Sequence, residues 1–216
     1  MTVPRDGSYI WVTWITGLMA ADRHCEWAAW FRAHYQGFEK APDEFDLAAW
    51  KATHGEMVRA RAAELRGEGY DVFVEGQNKF TLKGSAATLG GVPDIVAVRD
   101  GQGLVVDCKS GQRRDADAFQ VLTYMFVLPH THEACRGVRL AGEVRYRDGA
   151  LPIPPEKLTD ELKALITRTI ERVGGDEPLP RVPSVGECRF CDITAADCPE
   201  RIDQALRVEV VETDLF

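Results

Sequence analysis

The 216-residue chain has no apolar run approaching the roughly 18 residues that cross a bilayer as a helix. Its opening stretch, MTVPRDGSYIWVTW, lacks a basic leader followed by an apolar segment and a small-residue cleavage site. A cytoplasmic protein that meets no membrane is the expectation. Positive charge is also short, since 26 Lys and Arg against 34 Asp and Glu leave a net charge of −8. There is therefore no global basic footprint for a polyanion, although binding can rest on local clusters such as Arg59, Arg61 and Arg66, or Lys109, Arg113 and Arg114. A solvated helix face or loop explains each cluster equally well. No GxxxxGK[ST] occurs, which excludes a built-in P-loop motor, and no internal repeat or low-complexity tract is present.

What is present is ample apolar material, 45% of residues, enough for a single domain spanning 1–216. Residues 8–35 are dense in Trp and Ala at helical spacing and break near Asp22 to Cys25, which predicts two helices with a cysteine at their junction. A long helix carrying His54 is expected over 43–66, followed by strands in YDVFVEG and KFTLKG. A hairpin comes next, then a helix near 115–128, strands between 137 and 153, and an amphipathic helix near 155–173. The stretch GGDEPLPRVPSVG then leads into a cysteine-bearing tail over 186–200.

The hairpin, GGVPDIVAVRDGQGLVVDCKSG at residues 90–111, carries charge where a buried strand would exclude it. A two-residue turn with Gly101 at its first central position sets Asp100 opposite Gly103. Counting outward, Asp94 falls opposite Lys109 and Val96 opposite Asp107. Asp94, Asp107 and Lys109 then share one face while Cys108 points to the other. Opposed residues in a ladder lie about 4.5–5.5 Å apart, so two carboxylates and an ammonium can meet around one divalent cation and a phosphate. An Asp–Lys ion pair at a strand end is the plain alternative, but a second acid on the same face argues for something positive between the two.

PD at 93–94 followed by DCK at 107–109 resembles the PD-(D/E)XK nuclease signature. Gln120 and Tyr124 in FQVLTYMF are similar to the QxxxY motif of the RecB-type branch, and i, i+4 spacing puts both on one helix face. His54, in the helix before the first core strand, is similar in placement to that branch's metal-binding histidine. The resemblance implies an α/β fold, with a mixed central sheet flanked by helices over a core of 43–173.

Six cysteines in a chain without a secretion signal do not suggest a disulfide framework. CRFCDITAADC places Cys188, Cys191 and Cys198 together, and Cys25 lies far upstream in the N-terminal segment. Together they can complete a four-thiolate site, with zinc and iron–sulfur as candidates that spacing does not separate. The resemblance implies a 4Fe-4S cluster, because iron–sulfur members of the branch, the AddB-type and Cas-four-type nucleases, have one cysteine before the core and three after it. Their last interval is often one residue shorter than here. Cys108 and Cys135 read as small buried hydrophobes.

The resemblance further implies Mg²⁺ or Mn²⁺ held by Asp94, Asp107, His54 and the backbone carbonyl of Cys108. Lys109 would serve the nucleophile or the transition state, with Gln120 and Tyr124 orienting it or touching the phosphate backbone. Glu75, at a strand end near the site, is a further acid but is better explained as a surface residue. The implied activity is exonucleolytic cleavage of DNA, commonly at single-stranded ends. The implied partners are a helicase or CRISPR adaptation proteins. Two alternatives stand beside this reading: a non-catalytic zinc-thiolate module that binds nucleic acid, and a site-specific endonuclease.

Overall fold

The computed structural model describes residues 1–42 and 46–203. Two short strands, β1 (Val3–Pro4) and β2 (Tyr9–Trp11), precede helix α1 (Val12–Met19). The helix buries Val12, Ile15, Thr16 and Met19, a three- and four-residue spacing that turns one stripe inward. Helical spacing pointed to a helix from residue 8. Instead Tyr9–Trp11 is extended and pairs in parallel with Thr88–Gly90, where its aromatic and β-branched side chains suit a pleated surface. Helix α2 (Glu26–His34) begins directly after Cys25 and buries Trp27, Trp30 and Phe31. Strand β3 (Tyr35–Gln36) follows, pairing with β1. Helix α3 (Leu47–Gly67) starts at Asp46, whose carboxylate accepts a hydrogen bond from the Ala49 backbone N–H. The expected start of this helix at residue 43 lies outside the described residues.

Next come β4 (Asp71–Val74), β5 (Phe80–Lys83), β6 (Thr88–Gly91), β7 (Ile95–Arg99), β8 (Gln102–Lys109) and helix α4 (Asp115–Thr131). Strands β9 (Arg139–Tyr146) and β10 (Gly149–Ile153) and helices α5 (Asp160–Gly174) and α6 (Val185–Arg189) complete the described chain. The five-stranded central sheet runs β10-β9-β8-β7-β4, antiparallel except where β8 and β9 run parallel, and a three-stranded sheet runs β2-β6-β5. This is a mixed α/β fold with mixed sheets flanked by helices.

Alternation along the central strands sends two sets of side chains to two cores. Val96, Val105 and Val144 pack with Val121, Met125 and Leu128 of α4. Ile95, Ala97, Val106 and Cys108 meet Val58, Ala62 and Leu65, the narrow apolar stripe of α3. Helix α4 lies so close to the sheet that a Cβ on Gly142 would come within 2.4 Å of Val121 Cγ1. The sheet is thus clamped between α3 and α4, and both helices carry residues to the C-terminal end of β8.

The register differs from the expected one by two residues. Asp100 and Gly101 both take positive φ, 50° and 75°, so they form the two central residues of the turn and Arg99 pairs with Gln102. Ile95 then faces Val106, and Asp94 lies beside Asp107 rather than opposite Lys109. A two-residue slip preserves the alternation of faces, so Asp107 and Lys109 still point away from Cys108. The strand β7 is also shorter than the apolar run suggested. Gly90 and Gly91 belong to β6 in the other sheet, and Val92-Pro93-Asp94 is the connection between the two.

Candidate active site

At the end of the β7–β8 ladder the Cys108 backbone N–H donates to Asp94 Oδ2 at 2.6 Å, so a carboxylate takes the place of the next carbonyl. That bond fixes Asp94 against the sheet. Its other oxygen, Oδ1, lies 3.3 Å from His54 Nε2, which α3 delivers from the opposite side, and the His54 ring stacks on Trp50 at 4.8 Å between centroids. The hydrogen bond with Asp94 raises the His54 pKa above its ordinary value, against a smaller opposing effect of burial. His54 Nδ1 is buried without a hydrogen-bond partner.

Asp107 is 2% exposed and central to a second network. Gln120 Nε2 donates to Asp107 Oδ1 at 2.7 Å, Lys109 Nζ donates to Gln120 Oε1 at 2.8 Å, and Lys109 Nζ stands 2.8 Å from Asp107 Oδ2. That last approach is an ion pair without good hydrogen-bond alignment, leaving Asp107 Oδ2 buried with a charge beside it and no aligned donor. Burial pushes the Asp107 carboxyl up to about 6, with Lys109 pulling it down and Asp94 pushing it further up. Burial works against the Lys109 charge, but the Asp107 carboxylate outweighs it and the pKa is raised. Gln120 Nε2 also lies 3.1 Å from the Tyr124 hydroxyl, which in turn is 3.5 Å from the Val92 carbonyl. Burial, then Asp107, hold the Tyr124 phenol protonated well beyond its usual range.

Asp94, Asp107, Lys109, Gln120, Tyr124 and His54 therefore line one cleft of about 1680 Å³. Glu75 is exposed, but its backbone N–H donates to the Asp94 carbonyl at 2.9 Å, and it takes φ of 45°, an uncommon conformation for a non-glycine residue. Its charge adds to the shift of His54. Of the basic clusters, Arg61 is occupied by Glu143 and Glu64, each at 2.9 Å, and Arg113 by Asp148 at 2.8 Å. Arg61 is thus committed to holding α3 against β9. Arg114 makes no ion pair among the described residues and lines the cleft.

Two residues escaped the sequence reading. Asp117 is 3% exposed and accepts hydrogen bonds from the Arg114 backbone N–H and the Tyr146 hydroxyl, both at 3.1 Å, so it caps α4 while its charge favours protonated Lys109. An acid at the third position of a helix was the available signal. Trp50 was signalled by its four-residue spacing from His54.

All six cysteines are free thiols. Cys25, Cys188, Cys191 and Cys198 line the same cleft, and burial, with Cys25 and Cys191 nearby, raises the Cys198 pKa. Arg32 Nη2 lies 3.7 Å from Cys191 Sγ and 2.6 Å from Asp192 Oδ1. Further bonds tie the two ends of the chain: Trp27 N–H to the Pro180 carbonyl at 3.1 Å, and Thr2 to Asp197 at 2.7 Å. Cys108 and Cys135 are buried in cores. Among the described residues, no group of three or more His, Cys, Asp and Glu is placed to hold a metal ion. In donor type the residues do fit: Asp94 and Asp107 supply carboxylate oxygens, Asp107 Oδ2 and His54 Nδ1 are buried without an aligned hydrogen-bond partner, and the four thiols are soft ligands.

A family model for the PD-(D/E)XK nuclease superfamily matches residues 16–198. The chain belongs to that superfamily. Its Asp94, Asp107 and Lys109 thus stand at the sheet end of a nuclease-type fold. No curated protein matches the chain. A solved structure described as "Crystal structure of SSO0001" is similar at 13% identity and a TM-score of 0.43, covering 93% of this chain and 90% of that one. Among the described residues of this PD-(D/E)XK protein, no helix is long and apolar enough to cross a membrane.

Proposed function

We propose that the protein is a metal-dependent deoxyribonuclease, an exonuclease acting on single-stranded DNA ends. The observation that carries this reading is the pair of hydrogen-bonded networks meeting at the end of β8: His54–Asp94 on one side, and Asp107–Lys109–Gln120–Tyr124 on the other. Asp94, Asp107, the carbonyl of Cys108 and His54 would hold Mg²⁺ or Mn²⁺. When bound, such an ion polarises the scissile phosphate and lowers the pKa of its water. Lys109 offers a fixed ammonium to charge developing on the phosphate, and that charge is already countered in the resting site by Asp107. Gln120 does two tasks at once, donating to Asp107 and accepting from Lys109, so it fixes the distance between acid and amine.

Cys25, Cys188, Cys191 and Cys198 would hold a 4Fe-4S cluster that closes the two ends of the chain around the core. Its contribution would be structural: the unfolded chain does not hold four thiols together, so the free energy of binding the cluster would stabilise the fold. A cytoplasmic setting in repair, recombination or CRISPR adaptation, beside a helicase or adaptation proteins, completes the proposal.

The test is Mn²⁺-dependent loss of an end-labelled single strand by anaerobically purified protein. Lys109→Ala is expected to slow it by about 10²–10³-fold, with an unchanged thermal midpoint. Full activity in that variant would remove Lys109 from the chemistry, and a colourless zinc protein inert toward DNA would replace the nuclease reading with the zinc-thiolate binding module.

A further inference from the structure

Phe190 occupies an unusual place for a large aromatic side chain. It stands between Cys188 and Cys191, is 69% exposed, and lines the same cleft as Asp94 and Asp107. No packing requirement of the fold explains it, because a buried ring would belong to one of the cores and this one contributes to none of them. What surrounds it is positive: the Arg23 guanidinium lies 5.2 Å from the ring centroid and that of Arg189 5.5 Å. Farther along the cleft, Arg114 and Arg147 are exposed and form no ion pairs among the described residues. Arg23 is shared with Glu187 at 3.7 Å, but Arg189 beside the ring and Arg114 and Arg147 beyond it form no ion pairs among the described residues, so in a chain of net charge −8 the cleft offers a local site for a polyanion that also has flat faces.

We propose that Phe190 is a stacking platform for an unpaired base of a single-stranded polynucleotide. On this view the cysteine-bearing tail is part of the substrate path, a proposal that rests on the nuclease reading above. Arg23, held by Glu187, braces the ring, Arg189 pairs with a flanking phosphate, and Arg114 and Arg147 draw the backbone onward toward Lys109. The preference for a single strand follows from geometry. Bases in a duplex are stacked on one another and present only their edges, whereas an unpaired base can lay its face on the ring. A protein partner is the less favoured occupant, because the cations around the ring ask for phosphate and the patch opens into the cleft of the carboxylates.

The probe is a fluorescein-labelled oligothymidylate, compared with an abasic strand of equal length and with a duplex, all in Ca²⁺ to hold off cleavage. The protein is the full chain with its thiol-bound metal in place. Phe190→Ala is expected to weaken oligothymidylate binding about tenfold and abasic binding by less than about twofold. Phe190→Trp should restore affinity, with strand-induced quenching of indole emission beyond that of the parent's five tryptophans, and Phe190→Leu should not restore it. Equal affinity of Phe190→Ala and the parent overturns the proposal. So does rescue by Leu, or an equal loss on the duplex, either of which would mark a merely apolar contact. If Phe190→Ala loses metal or thermal stability, the Phe190→Trp arm decides, and absence of that added quenching then overturns the proposal. Cleavage that persists with no Phe190 effect sinks this proposal alone; Phe190-dependent binding without cleavage in the parent sinks the nuclease reading alone.

Discussion

Asp94, Asp107 and Lys109 reach the cleft from neighbouring positions at the end of one strand pair and are braced by α3 through His54 and by α4 through Gln120, whereas Cys25 and the trio Cys188, Cys191 and Cys198 come to the cleft from opposite ends of the chain. At the hairpin the polar atoms bond mainly to each other, through Gln120 and the Cys108 backbone, inside a sheet clamped by α3 and α4. At the seam the four cysteines are free, and the segments are joined in part by ion pairs such as Arg32–Asp192 and Arg23–Glu187. Partly exposed ion pairs contribute little, typically about 0–1 kcal/mol each. The seam is not left to ion pairs alone, because Ile193 is buried in one cluster with Trp27, Trp30 and Phe31, and the proposed thiol-bound group would add to that contact.

That contrast can be broken most sharply through the group that links acid to amine. Gln120→Leu keeps the volume of the side chain but leaves Lys109 and Asp107 without their shared partner. It should reduce cleavage by about 10–100-fold, read as kcat on a labelled single strand, with metal affinity falling in parallel. A loss below twofold would mean that Gln120 only fills space. At the seam, Cys25→Ala should bleach the protein and lower its thermal midpoint by several degrees, at about 2–4 °C per kcal/mol for a chain of this size. Chelating the ion at the cleft should shift the midpoint far less, and equal shifts would erase the distinction between the two regions.

A smaller effect is the response to acid. Burial raises the Asp107 carboxyl to about 6 in the metal-free protein, so a proton competes with the cation for it, and Mn²⁺ should bind more weakly as pH drops through about 6, a loss that more Mn²⁺ recovers. Stability takes the opposite sign for this group. Its folded pKa lies above the ordinary carboxylate value, so the fold binds that proton more tightly than the unfolded chain does. The metal-free protein gains from Asp107 as pH falls from about 6 toward 3.8. An Mn²⁺ affinity unchanged between about pH 5 and pH 7 would contradict the assignment.

Much of the site was legible because alternation is periodic. Any even register leaves Asp107 and Lys109 on one face and Cys108 on the other, so the slip of two residues changed the partner of Asp94 without changing its company. The slip itself came from reading Gly101 as the first turn residue, when Asp100 tolerates the left-handed region and takes that place. Strand β2 was hidden because Tyr9–Trp11 runs directly into α1, and only its pairing with Thr88–Gly90 reveals it. Asp117 was hidden for a different reason: its role depends on Tyr146, which folding brings across from β9. His54 could be placed on its helix, but its contact with Asp94 is a product of how α3 packs on the sheet.

The account depends on Asp94 and Asp107 gripping one hard cation at the end of β8, and a crystal soaked in Mn²⁺ tests this most directly. Anomalous scattering should show a peak between the two carboxylates and within reach of His54, and the peak should vanish in Asp107→Ala. Clear density for those side chains with no manganese between them, at a concentration where the enzyme cuts DNA, would contradict it.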